Sequence, residues 1–183
     1  MADCTGSVVA LALDAKHRFS KRAADSIRLL EGLGVEGDAH CGTTVKHRSR
    51  VKVDPSQPNL RQVHLIASEL LDELGEQGFA VEPGQLGENI TTSGLDLIAL
   101  PRGTVLQLGD AACVELTGLR NPCGQIEAFR AGLLQQVIEK RSDGEIVRKA
   151  GVMAIVKAGG VIRTGDGIAV SLPPMPHLPL ERV

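Results

Sequence analysis

Aromatic side chains are nearly missing from this sequence. Trp and Tyr do not occur and Phe occurs 3 times in 183 residues, which removes the rings on which unpaired bases stack. A surplus of positive charge is missing too. Lys and Arg number 20 against 22 Asp and Glu, a formal net charge of -2. With neither a basic footprint nor stacking platforms, nucleic acid is set aside as a partner. Long hydrophobic runs are also lacking. The stretch "SVVALAL" near the start is short, has no basic leader, and runs into "DAKHRFSKR", so it reads as a strand and not as a signal peptide or membrane span. The expectation is a cytoplasmic protein with no membrane partner. Cysteine is sparse: Cys4, Cys41, Cys113 and Cys123 show neither the paired short spacing of a zinc knuckle nor the density of a disulfide scaffold. They read as free thiols, each to be judged by its surroundings.

What is present is an ordinary globular share of hydrophobic residues, 43%, on a chain long enough for one well-packed domain spanning 1–183. Alternating or β-branched runs bounded by Gly or Pro recur: "SVVALAL", "SIRLLE", "RQVHLI", "ENITT", "TVLQL", "CVELT", "GVMAIVKAG" and "GIAVSL" read as short strands. Helical spacing appears in "ASELLDELGEQG", where Leu70, Leu71 and Leu74 share a face. It appears again in "QIEAFRAGLLQQVIEK", where Ile126, Phe129, Leu133, Leu134, Val137 and Ile138 do. Strands and helices do not alternate regularly, so the predicted fold is mainly β with a few helices, a partly closed β-barrel. Two segments fit no element. The basic loop at about 38–60, "DAHCGTTVKHRSRVKVDPSQPNL", reads as a flap over a site, and the proline-rich C-terminal arm at about 172–183, "LPPMPHLPLERV", reads as extended.

"GLGVEG", residues 32–37, matches a dinucleotide-binding fingerprint, but that fingerprint needs its last Gly to open a helix. "DAHCGTTVKHRSR" follows and carries no apolar helical stripe, so the glycines instead make a tight turn delivering Asp38 and His40 to one place. Zinc held by His40, Cys41 and either Cys113 or Cys123 would lack the usual local ligand pair. Lys46, Arg48, Arg50 and Lys52 alternate in "VKHRSRVK". A solvated loop is the ordinary reading of such a run; an extended one would present these cations to a phosphate from one side. In "RQVHLI", Val63 and Leu65 share one face and Gln62, His64 and Ile66 the other, with the fork of Arg61 at the mouth of the strand. In "PGQLGENITT", Glu88 and Asn89 follow a glycine turn, where they either cap it or point into a pocket.

"LTGLRNPCGQIEAF" places Cys123 at a junction of strand-like and helix-like sequence. Asn121 suits an N-cap and Pro122 the first helical position, which puts Cys123 at the second, beside unpaired N–H groups that favour an anion. Arg120 adds positive charge. A thiolate there attacks electrophiles, carries a sulfane sulfur or binds a soft metal. The alternative is a small buried hydrophobe filling a corner, which is also the reading of Cys113.

Taken together, "GVEGDAH", "RQVHLI", "PGQLGENITTSGLDLIALPRGTVLQLGDAACVELTGLRNPC" and "RKAGVMAIVKAGGVIRTGD" resemble the MOSC domain family, named for the C-terminal domain of molybdenum cofactor sulfurases. The resemblance runs in ordered blocks from about residue 7 to about residue 170 and is nearest to small bacterial stand-alone members. It implies a barrel like the β-barrel domain of pyruvate kinase and one important cysteine, matching Cys123. In the family that cysteine either carries sulfur for delivery or ligates molybdenum held by its pterin. The resemblance thus implies the molybdenum cofactor. Arg61, Arg148, Lys149 and the basic flap are expected to meet its phosphate, and Asp38, His40, His64, Asn89, Thr91 and Arg120 to line its site. Relatives reduce N-hydroxylated compounds such as hydroxylaminopurine. This chain departs from the pattern at Ala39, where a basic residue often follows "GD". The leading expectation is a reductase of N-hydroxylated small molecules with Cys123 as catalytic thiolate and metal ligand. The alternatives are a sulfur carrier cycling through a Cys123 persulfide and a non-catalytic cofactor-binding module. An electron-donor protein or a cysteine desulfurase is the expected partner, and the proline-rich arm leaves a homodimer open.

Overall fold

A computed structural model describes residues 5–183, Ser49 in its backbone alone; Cys4, read above as a free thiol, lies outside the described residues. The elements run β1 (Gly6–Leu13), β2 (Arg22–Ala24), β3 (Ser26–Leu30), β4 (Gly34–Val35), α1 (Arg48–Val51), β5 (Val63–Ala67), α2 (Ser68–Glu76) and β6 (Ile90–Ser93). They continue with β7 (Val105–Leu108), β8 (Ala112–Leu119), α3 (Gly124–Phe129), α4 (Leu133–Gln136), β9 (Ile138–Lys140), β10 (Ile146–Arg148), β11 (Val152–Ala158), β12 (Gly160–Arg163) and β13 (Gly167–Ser171).

The sheet order β13-β7-β8-β11-β5-β6-β1-β2 returns on itself, because β1 also pairs with β13 through Gly6↔Ile168 and Ser7↔Gly167. The expected barrel is therefore a closed ring with β2 as an added strand. β5 and β6 form its parallel pair, and the other pairings are antiparallel. Closure needs Gly6, since a Cβ there would lie 2.6 Å from Leu95 Cγ and 2.7 Å from the Ser93 carbonyl oxygen. Alternation fills the ring from within. Ala112, Val114 and Leu116 of β8 point in and join Leu11, Val63, Leu65, Leu106, Val152 and Ile168 in one apolar cluster. The small sheet β12-β3-β4 adds Ile27, Leu29 and Ile162 to it.

β5 is buried on both faces. Val63 and Leu65 face the barrel cluster, whereas Ile66 joins a second cluster with Leu70, Leu71 and Leu74 of α2, Ile126 of α3 and Leu133 of α4. Glu69, in the first turn of α2, accepts hydrogen bonds from Gly94 N–H (2.7 Å) and Ser93 Oγ (3.2 Å) and so pins the helix to the end of β6. His64 is buried with Nε2 2.8 Å from the Ala150 carbonyl oxygen, a bond from β5 to the approach of β11.

The stretch read as one long helix, "QIEAFRAGLLQQVIEK", is α3, a break, α4 and then β9. Arg130 is extended (φ -153°, ψ 120°), Gly132 takes a left-handed conformation (φ 85°), and the Glu127 carboxylate accepts the Gly132 N–H at 2.8 Å. Ile126, Leu133 and Val137 keep the expected buried face, but Phe129 is turned out to 36% exposure. The basic run also departs from its extended reading: Arg48–Val51 winds into the single turn α1, in which Arg48 and Arg50, two residues apart, face different sides. The arm forms no helix or strand, bends at 174–176 and returns along β8, with Leu119 N–H donating to the Glu181 carbonyl oxygen (2.7 Å) and Leu180 buried. Among the described residues no helix is long and apolar enough to cross a membrane.

Two outcomes follow. Leu65→Ala empties part of the barrel centre, where Leu65 is 0% exposed, and is expected to cost about 2–5 kcal/mol in chemical denaturation, with an unchanged denaturant dependence. Burial, reinforced by the Arg120 charge, pushes the His64 pKa down to about 3. The unfolded chain therefore binds a proton near pH 6.5 that the folded chain refuses, so stability present above that pH is lost as pH falls toward 3. Unfolding free energy at pH 5 should be lower than at pH 7 by roughly 2 kcal/mol from this group. His64→Gln should flatten the slope, and an unaltered slope would contradict the assignment.

Candidate functional site

The turn between β4 and the basic loop sets the site. Gly34 (φ 121°) and Gly37 (φ 79°) take backbone angles that L side chains avoid, and the chain folds back to put Asp38 under the barrel rim. The Asp38 side chain is 1% exposed. Its Oδ2 receives the Lys21 ammonium, Asn89 Nδ2 (3.0 Å) and Asp14 N–H (3.3 Å), while Oδ1 receives His40 N–H (2.9 Å) and faces His40 Nδ1 (3.2 Å). Burial pushes this carboxyl up, but the His40 hydrogen bonds and the Lys21 charge outweigh it and hold Asp38 well below the usual carboxylate range. An ionised Asp38 places the proton of His40 on Nδ1 and leaves Nε2 for the cavity. Asn89 continues the network: its Oδ1 accepts His64 N–H at 3.2 Å, and its Nδ2 also reaches the Ala12 carbonyl oxygen at 3.2 Å.

Arg120 follows β8 and is 9% exposed, with its guanidinium carbon 5.6 Å from the centre of the Phe19 ring and its Nη1 buried without a hydrogen-bond partner. Burial pulls its pKa down, opposed by the charges of Cys123 and Glu88. Arg61 donates from Nη2 to the Val183 carbonyl oxygen. Burial, then the charges of Arg50 and Arg120, push its pKa down to about 10, again opposed by Cys123. Glu88 is fully buried; its Oε1 accepts Gly84 N–H at 2.6 Å, its Oε2 has no partner, and burial raises its pKa.

Cys123 lies at the N-cap of α3 in extended conformation (φ -141°, ψ 174°), with Sγ 3.7 Å from Gln125 Oε1. The expected register is thereby corrected by two residues. The helix starts at Gly124, because Cys123 itself is extended and Asn121 and Pro122 before it lie outside the helix. A six-residue helix contributes little field, and the positive charge beside the thiol comes from Arg61 and Arg120.

Cys123, Arg61, Arg120, His40, His64 and Asn89 line one cavity of about 140 Å³, to which Lys21 and Arg48 add two more cations. The structure thus brings together seven expected residues, counting Asp38 beneath His40. The other three lie elsewhere. Thr91 is buried, with Oγ1 3.5 Å from Glu88 Oε1; Lys149 pairs with Glu73 (2.9 Å) and Glu139 (3.0 Å); Arg148 lines a separate surface groove. No group of three His, Cys, Asp or Glu able to hold a metal ion exists among the described residues, so His40 and Cys41 do not make a zinc site with Cys113 or Cys123. Sequence reasoning passed over Lys21, His17 and Phe19 in the loop after β1, and His47 in the flap. His17 stands edge-on to His40 at 5.2 Å, and burial, with Arg61 next, lowers the His47 pKa to about 4. The repeated His-Arg pairs, "HR" at 17–18 and 47–48, were the available signal.

No curated protein matches the chain. Among solved structures, the YuaD protein of Bacillus subtilis superimposes with a TM-score of 0.76 at 23% identity, covering 95% of this chain and 100% of that one. YiiM of Geobacillus stearothermophilus gives 0.62 at 17% identity over 98% and 80%, and YiiM of Escherichia coli 0.59 at 18% over 94% and 73%. At these identities the likeness is one of fold. In sequence, the MOSC domain model matches residues 38–169, from the buried Asp38 through Cys123 to the closing strand β13, and the chain belongs to the MOSC domain family.

Proposed function

We propose that the protein is a reductase of N-hydroxylated small molecules that works with the molybdenum cofactor, Cys123 supplying a thiolate ligand. The family is associated with binding that cofactor. The observation that carries the reading is Arg120. A guanidinium nine-tenths buried, with an unpartnered donor beside a cavity that also holds a thiol, is costly unless an anion meets it. A ligand with a phosphate at one end and a soft metal at the other answers both groups. The cavity, about 140 Å³, is small against the roughly 300–1,000 Å³ that enclose a whole small molecule, so it takes part of such a ligand and leaves the rest over the rim.

In this reading Cys123 Sγ would hold the metal, and Arg120 with Arg61 would hold the phosphate. When bound, the cofactor would supply two-electron reduction. Reducing R–NH–OH to R–NH2 and water takes those two electrons and two protons. His40 Nε2, once it has taken a proton from water, would pass it to the departing hydroxyl, with Asp38, fixed by Lys21, stabilising the imidazolium through Nδ1–H, and the second proton would reach the substrate nitrogen from water at the cavity mouth. A partner protein supplies the electrons. A second reading, a sulfur carrier, is favoured by the small cavity, which has room for a sulfane sulfur on Cys123 delivered by a cysteine desulfurase.

Protein from a cofactor-competent host is expected to carry molybdenum by plasma mass spectrometry, and Cys123→Ser to lose it by roughly tenfold or more. Metal missing from both would sink the reductase, and one added sulfur on Cys123 after incubation with a desulfurase and cysteine would then establish the carrier. His40→Asn should retain the metal yet lower kcat by about 10²–10⁴. Full activity in that variant would remove His40 from proton transfer.

A further inference from the structure

Arg61 stands out among the cavity cations for what holds it. Its backbone is pinned from two sides: its own N–H donates to Asn59 Oδ1 at 3.1 Å, and the preceding Leu60 carbonyl oxygen accepts Thr117 Oγ1 at 2.6 Å. Its guanidinium is half-buried beside two other guanidiniums, Arg120 and Arg50, whose charges repel it. What keeps it at the wall is the arm, through the Val183 carbonyl oxygen. The arm is itself seated by backbone pairing, with Leu119 N–H to the Glu181 oxygen (2.7 Å), Val183 N–H to the Leu119 oxygen (3.3 Å) and Arg102 N–H to the Leu178 oxygen (2.8 Å). Leu180 anchors it in the barrel cluster. Opposite the arm, β8 has a Gly. A Cβ on Gly118 would lie 2.5 Å from the Glu181 oxygen, 2.7 Å from Val183 Cβ and 2.9 Å from Val183 Cγ1. All three of these atoms belong to the arm, so Gly118 leaves the space in which it lies.

We propose that the C-terminal arm is a working part of the cavity: residues 180–183 hold the Arg61 guanidinium at its wall, and seating of the arm sets how tightly the cavity binds a phosphate group. The physical cause is preorganisation. A cation pressed by like charges leaves for solvent unless an acceptor fixes it, and a guanidinium already in place binds an anion without that reordering cost. The inference rests on the anion-binding half of the proposed function and is independent of the metal.

The test is titration of the full-length protein with inorganic phosphate at low ionic strength, followed by calorimetry. Arm seating is read separately from hydrogen exchange at the Leu119 and Val183 amides. Gly118→Ala should speed that exchange and weaken phosphate roughly tenfold, as should Leu180→Asp, which unseats the arm by charging its anchor. Arg61→Gln should weaken phosphate to a similar degree with exchange unchanged, and adding Gly118→Ala to it should cause no further loss. Faster exchange with unchanged phosphate affinity in both arm variants would overturn the role of the arm alone. Equal phosphate affinity in wild type and Arg61→Gln would overturn it together with the anion site.

Discussion

The Asp38 carboxylate, buried and ionised, is the point on which the site depends. Lys21 reaches it from the loop after β1, Asn89 from the start of β6, Asp14 through its backbone from the end of β1, and His40 from the flap. Each is a hydrogen-bond donor that would otherwise face its own desolvation cost. A carboxylate with several donors and one cation nearby is the arrangement in which a buried charge is tolerated. Through Asn89 the same network fixes the backbone of His64, and so the strand that both apolar clusters share. Barrel and site are therefore not separate constructions. The turn glycines that aim Asp38 inward also decide where the histidine of the flap can stand.

Above this anion the cavity is cationic. Arg48, Arg61 and Arg120 have no Asp or Glu carboxylate within ion-pairing distance among the described residues, and Glu88 acts on Arg120 at longer range. Three partial compensations make this bearable: the face of Phe19 over Arg120, the carbonyl of the arm on Arg61, and the partial opening of the cavity to water. The Cys123 thiol lies near the buried guanidinium of Arg120 and the half-buried one of Arg61. The cations nearest it thus come from two distant strand ends, Arg61 before β5 and Arg120 after β8.

Much of the barrel was legible in the sequence, since two-residue alternation bounded by Gly or Pro marks β1, β5, β8, β11 and β13 directly. The helix after Cys123 was misread for a physical reason. Ile126, Leu133 and Val137 do share a buried face, so the helical period is genuine, but it survives a break at Gly132 that periodicity cannot register. Asp38 and His40 were legible because a glycine turn is local. Lys21 was not, because its importance comes from an ion pair across the fold. Arg148 and Lys149 failed by the converse route. They sit in a family-like block, yet Lys149 is neutralised by Glu73 and Glu139, which only the tertiary structure brings near.

The ring closes through two residue pairs between the first strand and the last, Gly6↔Ile168 and Ser7↔Gly167. Contacts so distant in sequence carry the largest loop-closure cost of any pairing in the ring. Without β13, the Gly6–Ser7 end of β1 and one side of β7 would be unpaired strand edges. Residues 167–171 thus act as the latch of the barrel, the segment that leaves the ring without a seam.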